Sequence, residues 1–160
     1  MKISTGDVLL VSSSNWLGEK IQDFQKCKWN HAGIFLIIEN ELYLCDAQKH
    51  GIRLIRFKEY KTSSRLMILR PKRKVHRKKL VHFILPYVGN TPYDFVSLVL
   101  YQPIRFLFGK WIGRKNKEAN KRFTCSEWVA YIYKDVFPEW WKAAPVDLFN
   151  SEFFEKEILK

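Results

Sequence analysis

The hydrophobic pattern of this chain changes character once, near Pro71. Before it, apolar residues come in short runs bounded by turn residues. These runs predict strands over Val8–Val11, Ile34–Ile38, Glu41–Ala47, Ile52–Phe57 and Arg65–Arg70. Gly6-Asp7, Glu39-Asn40-Glu41 and Gly51 supply the turns. Short spacings between the runs predict an antiparallel meander. One helix interrupts it. In Trp16–Cys27, Leu17, Ile21 and Phe24 recur at helical spacing, with Glu19, Lys20, Gln22 and Asp23 between them. Ser12 to Asn15 form a polar loop that can cap this helix.

After Pro71 the patterns are mostly helical. Val75, Leu80, Phe83 and Ile84 predict a helix whose first turns fall within Pro71–Lys79. Gly89 to Asp94 reads as a turn. Phe95–Phe108 is strongly apolar but broken by Gln102, Pro103 and Arg105. It reads as a buried helix or helix pair, an interfacial membrane segment, or a short spanning one, although it falls short of ~20 clean apolar residues. Gly109–Arg122 predicts a mobile basic loop. A helix then starts at Cys125, with Val129, Ile132 and Tyr133 at helical spacing. Pro138 to Trp141 form an aromatic turn. Pro145 to Phe149 lead into a last short helix or tail carrying Phe153 and Phe154.

The pattern predicts an α+β fold: a small, mainly antiparallel sheet packed against helices. The length of 160 residues fits one domain spanning 1–160, with a real core. Aromatic residues make up 16% of the chain, so many must be inside. The formal net charge of +12 favours anionic partners. Lys72, Arg73, Lys74, Arg77, Lys78 and Lys79 concentrate that charge and are the candidate anion-binding residues. The same residues also suit a solvated face. An anionic membrane surface is a possible partner. No motif identifies a nucleic-acid-binding fold. Cysteines 27, 45 and 125 make no disulfide framework and no CxxC zinc pair, so no metal or cofactor is expected. The run Val8–Val11 is too short for a signal peptide, which points to a cytoplasmic or peripheral membrane location.

The candidate chemistry centres on Cys125. Thr124 stands just before the helical pattern and Glu127 three residues later, the spacing of a capping box. Cys125 then falls in the first helical turn, where backbone N–H groups and the helix dipole favour thiolate over thiol. A buried packing thiol fits the same position. A nucleophilic cysteine needs a base and a group to orient that base. Of the four histidines, His31 alone opens an apolar strand after a polar corner, with small Ala32 and Gly33 beside it. Asp46 ends the next strand. If those strands are antiparallel, Asp46 returns beside His31. Cys45 and Cys27 suit packing better.

The ordered set carries a resemblance. Gly6-Asp7-Val8-Leu9-Leu10, Asn30-His31-Ala32-Gly33-Ile34, Leu44-Cys45-Asp46-Ala47 followed by Gly51-Ile52, Tyr93-Asp94, and Phe123-Thr124-Cys125-Ser126-Glu127 resemble motifs of one family. This is the circularly permuted papain-like, YiiX-type group of the NlpC superfamily. The resemblance covers residues 5–135. It implies a papain-like core with Cys125, His31 and Asp46 as catalytic residues, though relatives more often carry glutamate where Asp46 stands. It also implies hydrolysis of amide bonds in cell-wall peptides or action on lipid acyl groups. Tyr93 is a candidate for lining the substrate pocket. The competing expectation is a binding module that keeps the fold and uses its basic surface.

Overall fold

A computed structural model describes residues 2–60, 62, 64–113, 115 and 122–159. Its centre is a six-stranded antiparallel sheet, in the order β4-β3-β2-β1-β5-β6. The strands are β1 (Val8–Ser12), β2 (His31–Ile38), β3 (Glu41–Gln48), β4 (Gly51–Arg56), β5 (Arg65–Pro71) and β6 (Phe154–Ile158). Five of them match the sequence reading, and the fold is α+β as that reading predicts. The β2–β3 turn, Glu39-Asn40, has positive φ at both residues (49° and 65°). This is the turn geometry that suits the twist of a two-residue hairpin. The β3–β4 turn is also two residues long, with Gln48 paired to Gly51.

Strand alternation divides the core. Val8, Leu10, Ala32, Ile34, Cys45, Ala47, Met67 and Leu69 join the larger cluster, which includes Trp128, Val129 and Leu148. Leu9, Val11, Phe35, Leu44, Leu66 and Ile68 form a smaller one, covered by Ile3, Phe57 and Tyr60. Each buried branched or aromatic side chain contributes roughly 1.5–3 kcal/mol over leaving it exposed.

The helices are α1 (Trp16–Gln25), α2 (Arg77–Ile84), α3 (Gln102–Phe108), α4 (Cys125–Ile132) and α5 (Pro145–Asn150). Asn15 caps α1 by accepting from Gly18 N at 2.7 Å. Lys26 ends that helix in the left-handed region, before Cys27.

Two segments differ from the sequence reading. The chain from Pro71 to His76 is not the start of a helix, because α2 begins at Arg77. Pro71 is still in the sheet opposite Phe154, and Lys72 N–H donates to Phe153 O at 3.0 Å. The cause is β6, which reads as a tail because its outer positions, Glu155, Lys156 and Glu157, are charged. Charge is how an edge strand resists further pairing. The second difference is Phe95–Phe108. It is helical, with a π-helical turn (Ser97–Tyr101) running into α3. Gln102 N–H bonds Ser97 O, five residues back, and Pro103 follows with no N–H to offer. The stretch is only partly buried, and many of its apolar side chains are exposed. Among the described residues, no helix is long and apolar enough to cross a membrane. Half of the predicted mobile loop, residues 114 and 116–121, lies outside the described residues.

Candidate active site

Cys125 opens α4 as the sequence pattern requires. Thr124 Oγ1 accepts from Glu127 N at 3.3 Å, and Glu127 Oε2 accepts from Thr124 N at 3.0 Å. This reciprocal pair fixes where the helix starts. Ser97 Oγ donates to the other Glu127 oxygen, so the box is buried and anchored from a second element. Ser126 Oγ donates to Ala143 O at 2.9 Å and ties the first turn to the segment before α5. α4 packs across β2 and β3, which brings Cys125 to the strand end where His31 begins.

His31 and Asp46 meet through the β2–β3 register. Gly33 is opposite Asp46, so His31 is its diagonal neighbour on the same strand face. The His31 Nε2 to Asp46 Oδ2 distance is 2.8 Å. Asp46 is fully buried, whereas His31 keeps 17% of its side chain exposed. Asp46 also accepts from Gln48 Nε2 at 2.8 Å and from Arg53 Nε at 2.7 Å. Gln48 and Arg53 were not among the residues singled out from sequence. The two-residue turn after Gln48 fixes Arg53 opposite Asp46, so the signal lay in the register of that hairpin.

The electrostatics follow from this packing. Burial would raise the Asp46 pKa, but His31, Arg53 and Gln48 together hold its carboxyl well below the usual carboxylate range. Burial likewise opposes a charged His31. Interactions with Cys125 and Asp46 outweigh it and push the imidazole up to about 10. Cys125 and His31 line the same cleft. Cys45 is different: burial pushes its thiol up to about 12, as suits a packing residue. Cys27 is also raised by burial.

Tyr93 joins this group by backbone pairing. It bridges to Phe123 in parallel, and Asp94 N–H donates to Phe123 O at 3.1 Å. Burial first, and then charge at Cys125, Glu127 and Asp94, push its phenol well above the ordinary value. A hydrogen bond with the backbone of Cys125 acts the other way. Tyr93, His31 and Cys125 line one cleft of about 730 Å³, together with polar Gln48, Arg53 and Tyr60 and apolar Leu17, Ile21, Phe95 and Leu98. Tyr60 was also missed from sequence. Its phenol is pushed up to about 12, by burial and then by the Asp46 charge.

The basic cluster lies elsewhere. Leu66 and His31 are both opposite Val11, whereas Lys72 follows the far end of β5, about 20 Å away at the usual rise per residue. Lys72, Arg73, Lys74, Arg77, Lys78 and Lys79 are all exposed. Arg73 pairs with Asp135 and lies over the Phe153 ring. Among the described residues, no group of three or more His, Cys, Asp or Glu side chains could hold a metal ion.

Comparison with known proteins agrees with this architecture. A solved structure, metalloprotein yiiX from Escherichia coli O157:H7, superposes with a TM-score of 0.63. It covers 98% of this chain and 97% of its own, at 16% identity, and so shows a shared fold. No curated protein matches the chain in sequence. The family model described as permuted papain-like amidase enzyme, YaeF/YiiX, C92 family, matches residues 2–101. That span holds His31, Asp46 and Tyr93 and ends before Cys125. A helix-borne cysteine reached only after the histidine strand is the chain order a permuted papain-like fold would have, and the chain belongs to the permuted papain-like YaeF/YiiX family within the NlpC superfamily of hydrolases.

Proposed function

We propose that the protein is a cysteine hydrolase that cleaves amide or ester bonds by acyl transfer through Cys125. The observation that supports this reading is that His31, 2.8 Å from the Asp46 carboxylate, shares one cleft with Cys125. A nucleophile, a base and an orienting group in contact are what covalent acyl transfer needs.

His31 holds the proton as an imidazolium beside the Cys125 thiolate, in keeping with its raised pKa, and the thiolate attacks the substrate carbonyl carbon. A C–S bond forms while the carbonyl π pair moves onto oxygen. The Cys125 backbone N–H, at the start of α4, is one donor for that oxyanion. Tyr93 is the second. It lines the same cleft as Cys125. The intermediate collapses as His31 returns its proton to the leaving nitrogen or oxygen. Water then attacks the thioester, with His31 as base, and releases the carboxylic acid and the thiol. Asp46 keeps the imidazole oriented and balances its charge throughout. The substrates that fit this chemistry are a peptide-like amide or a lipid acyl group.

Trapping the acyl-enzyme tests the reading. With an activated acetyl ester, intact mass and peptide mapping should find one acetyl group on Cys125. The His31→Ala variant should give none. Acetylation at another residue, with Cys125 unmodified, would contradict the reading.

A further inference from the structure

Among the described residues, eleven large apolar side chains are exposed, and nine of them fall in two places. Trp16 and Leu17 begin α1. Phe95, Val96, Val99, Leu100, Leu107, Phe108 and Ile112 lie on or just beyond the helical stretch that ends in α3. The two places are joined. The rings of Phe24 and Phe106 are 5.8 Å apart, and Leu17 and Phe95 both line the cleft that contains His31 and Cys125. Scattered exposed apolar residues are ordinary, but a continuous patch is not.

The helical stretch is also inverted in polarity. Ser97 (0% exposed) and Gln102 (3%) face inward, while Val99 (67%), Leu107 (68%) and Phe108 (76%) face out. Ser97 bonds Glu127, and Gln102 donates to the carbonyls of Lys142 and Ala143. A helix meant for water does the reverse. This one anchors itself through its polar residues and Leu98, and leaves most of its other apolar residues outside.

Charge identifies what meets that face. Residues 95–117 carry Arg105, Lys110, Arg114, Lys115 and Lys117, and no aspartate or glutamate. Arg105 is occupied by Asp147, whereas Lys110 and Lys115 are exposed. Trp111 packs edge-on against Tyr101 beside them. Apolar and aromatic side chains flanked by lysines are the composition of segments that lie in the headgroup region of a bilayer. A second copy of this chain would oppose two such basic faces, at a net charge of +12 each.

We propose that the Trp16–Leu17 and Phe95–Ile112 face docks on an anionic phospholipid bilayer, with the mouth of the Cys125 cleft against the membrane. The inference concerns binding only and stands apart from the hydrolase reading. The full chain is sedimented with vesicles of phosphatidylcholine alone, and of phosphatidylcholine mixed with phosphatidylglycerol. It should bind the anionic vesicles and bind the neutral ones more weakly. The triple variant Val99→Asp, Leu107→Asp, Phe108→Asp should weaken binding about tenfold or more, because it removes apolar side chains from the face and adds negative charge against an anionic surface. Ile158→Asp, an equally exposed residue on the edge strand, should bind as the parent does. Circular dichroism checks that both variants are folded. Binding unchanged in the folded triple variant would overturn the proposal. So would loss of binding only on charge reversal at Lys72, Lys74 and Lys78, which would assign the membrane to the distant basic cluster. A dimer by sedimentation velocity that the triple variant disrupts, without vesicle binding by the parent, would assign the face to a second copy and also overturn it.

Discussion

Gly33 stands opposite Asp46 in the sheet, and a Cβ built on Gly33 would come 3.1 Å from the Asp46 Cβ and 2.8 Å from Leu44 Cδ1. The position lacks a side chain where His31 and Asp46 must reach each other diagonally. Gly33→Ala should cost about 1–3 kcal/mol by overpacking. It should also lower kcat more than it raises KM, because it presses on the group that orients the base. Urea unfolding and steady-state kinetics on the same variant check both parts.

Asp46 is the hub of the site, so its variants should rank. Asp46→Glu should keep the most activity. It preserves the charge, and Arg53, 44% exposed, can shift to accommodate the longer side chain. Asp46→Asn should keep less, since an amide can orient the imidazole but not balance its charge. Equal activities in the two variants would mean that charge at this position is irrelevant.

Arg53→Ala should act mainly through acid stability. The depressed Asp46 pKa contributes stability that is present above its unfolded value of about 3.9 and is lost as pH falls through the folded value. Removing Arg53 takes away one cause of the depression. The acid limb of unfolding should move to higher pH, with a few-fold loss of activity at neutral pH.

His31 should titrate far from an ordinary histidine. Its folded pKa of about 10 is above the free value of about 6.5. Its contribution to stability is therefore full below the free value and fades as pH rises through about 10. In Cys125→Ala the sulfur's contribution to the raised His31 pKa is gone, so that pKa should fall. NMR titration of the ring in the parent and the variant reads this directly. An unchanged value would separate His31 from Cys125.

Features set by local spacing were legible in the sequence. The Thr124–Glu127 box and the Asn40 and Gly51 turns follow from adjacent residues. The return of Asp46 to His31 follows from one short hairpin. What was missed depends on distant partners. β6 is a strand because β5 has an open edge for it, and its charged outer positions hide that. This strand also holds Pro71 in the sheet, so the helix after Pro71 starts later than its apolar spacing implies. The burial of Phe95–Phe108 could not be read from its hydrophobicity. Ser97 and Gln102 turn inward to meet Glu127 and the carbonyls near α5, and that leaves Val99 and Phe108 outside. Arg53 carries no local signal in the sequence; only the register places it opposite Asp46.

The most direct test is turnover by Cys125→Ser, compared with Cys45→Ser and Cys27→Ser, on any amide or ester that the parent hydrolyses. Serine is nearly isosteric with cysteine but far less acidic, so a base tuned for a thiol activates it poorly. Cys125→Ser should fold as the parent does and fall to background. Cys45→Ser and Cys27→Ser should keep activity in proportion to the folded fraction. Full turnover by folded Cys125→Ser would contradict the thiol hydrolase account.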